Sequence, residues 1–323
     1  MVRIGTVCLA LMLLLGASSP ALAQSEAGGQ STLIAPGARS DGMGRAFVAV
    51  ADDANAVWWN VAGLAFVRGH QVGATYTALV PDLANDVSFS YLSYVQKVEG
   101  LGGIGASFGY LSYGKSTATD VDGNVTGEFT SYEMAPTVAY GTDLVPNMGF
   151  GIALKLIHVD LAPSNVTLDQ QSGQGTSFAA DFGWLWKMAK YKTNLAATLS
   201  NIGPDIAYID QEQADPLGRN VKIGTAFSPV DTQVHRLLFA ADATRYLLPG
   251  RTLAIDVWDV GAEYEFNNLF ALRVGYISDP IGTIQAMTYG FGIGYKGFHF
   301  DFANVPQSEF LDRVNRFSAG YSF

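Results

Sequence analysis

The groups in this chain that could do chemistry are few and scattered. Its histidines are His70, His158, His235 and His299, and no two stand at the spacing of paired metal ligands. The single cysteine, Cys8, falls in the N-terminal leader, so no disulfide or thiolate site is expected in the mature chain. Gly102-Gly103-Ile104-Gly105 and the run from Gly290 to Gly294 are glycine-rich. Both lie inside strand-like segments, where small residues leave room on one face, and this argues against phosphate cradles. No catalytic residue, metal or cofactor is expected. What remains is ion pairing. Lys155, Asp181, Asp242, Glu263, Arg273 and Asp301 are isolated charges of both signs on different segments. Enclosed together, such charges must pair or face water. A salt-bridged interior is the expected role, and a polar transport path is the alternative.

These charges share a setting. Each falls by parity on the polar face of a segment whose apolar residues recur at every second position. Phe270, Leu272, Val274 and Tyr276 alternate with Ala271, Arg273 and Gly275. Phe298, Phe300 and Phe302 alternate with His299, Asp301 and Ala303. From Gly69 onward there are about fourteen such segments, and tight connections alternate with long polar ones. Lys97 to Leu101, Lys187 to Tyr191, Asn267-Asn268 and Lys296-Gly297 are tight. Lys115 to Val125, Pro163 to Gly173, Gly203 to Arg219 and Pro306 to Asp312 are long. The aromatic face is too continuous to be solvated, so it faces lipid. In hydrocarbon every backbone group must be paired, so the sheet must close. An all-β fold follows: a transmembrane antiparallel barrel of about fourteen strands. Trp184, Trp186, Trp258, Tyr264, Tyr289, Tyr295 and Tyr321 fit interface girdles. Pro136 interrupts a strand and marks either a bulge or a break in the wall. The last strand carries Phe317, Tyr321 and a terminal Phe323, and resembles the insertion signal of bacterial outer-membrane barrels. Outer-membrane lipid and the barrel-insertion machinery are thus expected partners.

The N-terminus reads differently. Arg3, the apolar stretch from Ile4 to Gly16 and Ala21-Leu22-Ala23 form a secretory signal over residues 1–23. Residues 24–66 make a tail and plug, and residues 67–323 the barrel. The net charge of −10, with no basic tract, excludes nucleic acid as a partner. Within the plug, two short helix-like pieces carry Asp52, Asp53, Asn55, Trp58, Trp59 and Asn60. Asp52 or Asp53 is placed to cap the second piece. The polar residues either gate the plug or simply cap and turn its backbone. Trp58 and Trp59 either line an apolar ligand pocket or wedge the plug against the wall.

The plug and several strand motifs resemble the PorV/PorQ family of FadL-like outer-membrane barrels. The match runs through Gly37-Ala38-Arg39, Gly42-Met43-Gly44, Ala49 to Ala54 and Trp59-Asn60-Val61-Ala62-Gly63-Leu64. Val61 stands where the family usually has proline. Lys155-Leu156-Ile157, Asn201-Ile202-Gly203-Pro204, Gly261-Ala262-Glu263-Tyr264, Leu272 to Tyr276 and Asp301-Phe302-Ala303 continue it. The resemblance implies a plugged fourteen-strand barrel in the outer membrane of a Gram-negative-type bacterium. It also implies a part in type IX secretion or surface attachment. Secreted cargo would meet the outer loops Pro163 to Gly173 and Gly203 to Arg219, and other secretion components would be partners. A FadL-like importer of hydrophobic molecules is the alternative. An importer should show an apolar pocket near Trp58, Trp59 and Phe66. A cargo receptor should show a lumen open outside and closed below.

Overall fold

The computed structural model describes residues 27–120, 122–164, 172–208, 214–248, 254–308 and 311–323. The expected signal, with Cys8, lies outside them, as do residues 165–171 and 209–213 of the two expected cargo loops. Strands follow one another around a closed antiparallel barrel: β1 (His70–Ala78), β2 (Val87–Val98), β3 (Gly102–Thr119), β4 (Val125–Val145), β5 (Met148–Ala162), β6 (Gly173–Met188), β7 (Thr193–Ile202), β8 (Asn220–Asp231), β9 (His235–Tyr246), β10 (Val257–Phe266), β11 (Phe270–Asp279), β12 (Ile284–Tyr295), β13 (Phe298–Val305) and β14 (Val314–Ser322). Among the described residues no helix is long and apolar enough to cross a membrane.

Alternation decides which way each side chain points. Along β11, Phe270, Leu272, Val274 and Tyr276 are exposed on the outer wall, while Ala271 and Arg273 are buried inside. The same parity exposes Phe178 and Phe182 on β6 and buries Asp181 between them. Closure is completed by the chain's last residue. His70 and Phe323 exchange two backbone hydrogen bonds of 2.9 Å, and their rings stack at 5.1 Å. Phe317 lies exposed on the outer wall, and Tyr321 packs against Phe298 with ring centroids 4.4 Å apart. At the end of the barrel where both strand termini meet, the turns are tight. Asn267 and Asn268 both take positive φ, 54° and 52°, as a two-residue hairpin turn requires.

Two local readings need correction. Lys115 to Val125 is mostly strand rather than loop, because β3 runs on to Thr119 and β4 begins at Val125. At Pro136 there is no bulge. Pro136 pairs with Phe108 of β3, whereas on the β5 side pairing lapses at Ala135 and Pro136 and resumes in the same register. Proline's missing N–H accounts for a lapse of that kind.

The main core lies inside the barrel. Short helices α1 (Ala38–Gly42) and α2 (Ala56–Trp59) and a three-ten turn from Val61 to Phe66 carry Met43, Phe47, Trp59 and Leu64 into it. These pack on Val95, Ala139, Ala153, Leu185, Ala196 and Ala240 of the wall. Neither Asp52 nor Asp53 caps α2, whose cap residue is Asn55; Asp53 instead accepts from the Asn55 N–H at 2.8 Å. Glycines let the two backbones meet. A Cβ at Gly103 or Gly151 would collide with the main chain of Leu64 or Val61.

Candidate functional site in the plugged lumen

The polar face of the wall and the plug together build a network of buried charge. Glu263 and Arg273 sit directly opposite on β10 and β11 and pair at 2.7 Å. Arg39 of α1 reaches the same carboxylate with two bonds of 2.9 Å, a bidentate fork. Arg39 also meets Asp52 at 2.6 Å and Asp53 at 3.3 Å. Arg273 goes on to Asp301 at 2.7 Å, across β12. Gly292 makes that crossing possible, since a Cβ there would sit 2.6 Å from the Asp301 carboxylate. Arg236 of β9 closes the group, pairing with Asp52 at 3.1 Å and Glu265 at 3.6 Å. Strands β10, β11 and β13 are thereby tied to the plug through the Arg39 guanidinium, and β9 through that of Arg236.

Lys155 and Asp181 form a second, separate unit. They pair at 2.8 Å, and Asn201 bonds both, accepting from Lys155 at 2.7 Å and donating its N–H to Asp181 at 2.8 Å. Asp242 behaves differently. Among the described residues it has no ion pair; its carboxylate accepts the N–H groups of Phe47 and Val48 at 2.7 and 2.8 Å. It holds plug backbone rather than neutralising a cation.

Of the plug residues singled out in the sequence, Asn60 is the most enclosed. Its side chain donates to Val48 O at 3.0 Å and to Trp184 O on the wall at 3.2 Å, and accepts from Ala62 N–H at 3.0 Å. Asn55 receives a long 3.5 Å bond from Ser93. Trp59 is buried and donates to Pro36 O at 3.0 Å. Trp58 packs edge-on against it, and Lys222 Nζ lies 4.8 Å from the Trp58 ring.

Burial and charge act on the plug carboxylates in opposite directions. For Asp52, enclosure favours the neutral acid, but Arg39 and Arg236 outweigh it and hold the carboxyl well below its usual range. Asp53 is pushed up to about 6 by burial; Arg39 opposes the shift and neighbouring Asp52 adds to it. A quarter of the Asp53 side chain (26%) still faces a cavity, which tempers the effect of enclosure.

That cavity, about 330 Å³, opens at the tight-turn end between Asp52, Asp53, Arg236, Glu265, Asn268 and His299. The spaces that touch Trp58 measure only about 20 and 10 Å³. The apolar pocket that an importer should show near the tryptophans is therefore not formed there, and Trp59 serves instead to wedge the plug. Nor does this cavity open at the long-loop end, so the lumen open outside and closed below that a cargo receptor should show is not found among the described residues either. There Ile206 and Leu217 turn inward onto Ile157 and Val159, and Gly28 bonds Pro216 O at 2.9 Å.

Some participants escaped the sequence reading. Arg39 was visible only as part of a motif, and Arg236, Arg316 and Glu133 not at all. Arg316 pairs with Asp41 at 2.8 Å, and Glu133 accepts from Ser31 N–H at 2.8 Å. Parity along β14 and β4 places both on the inner face, so alternation held the signal. Gly105-Ala106-Ser107-Phe108-Gly109 has the spacing of a nucleophile elbow. It lies within β3, without the sharp strand-to-helix turn that such chemistry needs.

A closed wall with an apolar outer face, a charge-lined lumen and a plug tied in by ion pairs define an outer-membrane β-barrel of the plugged type. The chain belongs to the family described as type IX secretion system protein PorV, whose model matches residues 26–252. It is an outer-membrane protein of a Gram-negative-type bacterium, associated with type IX secretion. No curated protein sequence matches it. Among solved structures it resembles the Ralstonia pickettii toluene transporter TbuX, at 13% identity and TM-score 0.59, covering 89% of this chain and 98% of that one. It also resembles the Pseudomonas putida toluene transporter TodX, at 16% identity and TM-score 0.56, covering 88% and 96%. At such identities the likeness concerns the fold alone.

Proposed function

We propose that this barrel serves type IX secretion by receiving secreted proteins at its outer surface and presenting them to other secretion components, without catalysis. The observation that carries the reading beyond family membership is the filled lumen. A cavity of roughly 150 Å³ is needed to bind benzene. The spaces at Trp58 are about 20 and 10 Å³, and the 330 Å³ cavity is lined by charge and opens on the tight-turn side. An apolar hollow of about 630 Å³ bordered by Tyr76, Leu92, Phe108, Phe300 and Phe317 lies among exposed side chains of the outer wall, not past the plug. This argues against a route for hydrocarbons past the plug, although the fold is shared with toluene transporters. With the interior occupied, cargo would engage the loops and strand ends outside the lumen. In this reading the ion-pair network holds the plug while the outer surface works.

The test is recovery of the tagged barrel from native membranes, with protein and lipid partners identified by mass spectrometry. Secreted proteins that share a C-terminal domain are the expected companions. A bound hydrocarbon with no protein partner would overturn the reading in favour of import.

A further inference from the structure

The wall is not of even height. β3 and β4 have 18 and 21 residues, whereas β1, β13 and β14 have 9, 8 and 9. β2 pairs with β3 only as far as Tyr113, and β5 pairs with β4 only from Tyr132. Beyond those points β3 and β4 pair with each other alone, from Lys115 opposite Thr130 to Thr119 opposite Val125. Five such pairs at about 3.3 Å each make a two-stranded ribbon of roughly 17 Å on the long-loop side. Its turn is organised, since the Asp120 carboxylate accepts from Asp122 N–H at 3.0 Å and Asn124 N–H at 2.8 Å.

The ribbon has open edges. The Lys115 N–H points away from β4, to the Asp86 carboxylate at 2.7 Å. Strand alternation then turns the N–H and C=O of Thr117, and of Glu128 opposite it, outward as well. Among the described residues nothing pairs with them. Exposed edges of this kind accept a further strand unless something prevents it. Here the surroundings are acidic: Asp86, Asp120, Asp122 and Glu128, with Asp160 at the base and Lys115 the cation among them. A second copy of the chain would bring the same negative edge and be repelled.

Resting on the secretion reading above, we propose that this ribbon captures an extended, basic strand of a secreted protein by adding it to the β3–β4 pair. Main-chain hydrogen bonds supply the attachment, and the acidic border selects for lysine and arginine. A docking mode of this kind tolerates varied cargo, because the backbone is common to all.

The full-length barrel in lipid nanodiscs is titrated with two fluorescent peptides, one alternating lysine with threonine and one alternating glutamate with threonine. The lysine peptide should bind at least about tenfold more tightly at low salt. The double variant Thr117→Pro with Glu128→Pro, which removes edge donors without touching the ladder between β3 and β4, should weaken it by a similar factor. Thr117→Val should leave binding unchanged. Should the prolines disturb folding, judged by heat-modified gel mobility, Asp122→Asn with Glu128→Gln gives the charge half of the test. Equal affinity for both peptides, or indifference to the prolines and the neutral variants, overturns the proposal. Secreted proteins that still co-purify with the proline variant would defeat the ribbon while sparing the secretion reading. Their absence from the unaltered barrel would defeat that reading instead.

Discussion

The plug touches the wall in two regions that are built on opposite principles. On β3 to β5, backbone meets backbone: the turn from Val61 to Phe66 rests on Gly103, Gly141 and Gly151, where main chain is the nearest neighbour. On β9 to β13 the contact is made of charge, with Arg39 gripping Glu263, Asp52 and Asp53 while Arg273 and Arg236 brace the carboxylates. The first contact is geometric and has no substitute, since any added carbon collides with main chain. The second is chemical. An ion-pair cluster is replaceable in principle by apolar side chains of the same shape, but is sensitive to the loss of a single partner. A rigid pad and a charged clasp thus divide the work of keeping one segment in place.

The contrast can be broken from either side. Gly151→Val should have the largest effect, about 3 kcal/mol or more, because the Val61 carbonyl has nowhere to retreat. Loss of the heat-resistant band on gels, or trypsin cleavage inside residues 37–66, would register it. Next comes Arg39→Ala, which leaves Asp53 without its cation and Glu263 with Arg273 alone, and should destabilise by about 2–3 kcal/mol in urea titrations. Arg39→Leu combined with Glu263→Leu should recover much of that loss, whereas no partner substitution should rescue Gly151→Val. Asp242→Ala leaves the Phe47 and Val48 N–H groups without an acceptor, at about 1–3 kcal/mol, and Asp242→Asn should be milder. The smallest effect concerns pH. Because burial raises Asp53 to about 6, the folded state binds its proton more tightly than the unfolded chain does. Lowering pH from 7 to 5 should therefore shift the urea midpoint of the wild type upward relative to Asp53→Asn, which lacks the group. An equal response in both would show that burial does not raise the Asp53 carboxyl.

Much of the wall could be read in advance, because lipid on one side and a polar lumen on the other impose a strict period of two. That is why Glu263, Arg273 and Asp301 stood out on the inner face. The plug has no such period. Arg39 lies in a small-residue stretch where nothing in the local pattern distinguishes it from a solvated surface cation. Its importance arises only when β10 is brought beside it. Lys115 to Val125 has the pattern of a loop for a related reason. Above the membrane both faces of a strand are wet, so threonine and serine occupy both and alternation vanishes. Asp242 was recognised as inward-facing, but its partners are backbone amides of a distant turn, and no residue type announces those.

The claim on which the rest depends is that the plug seals the lumen of an intact wall. Single-channel recording in planar bilayers tests it directly, comparing the full chain with a variant lacking residues 37–66. The account predicts a silent full-length barrel and stepwise conductance once the plug is removed. Steady conductance of the same size in both would contradict it.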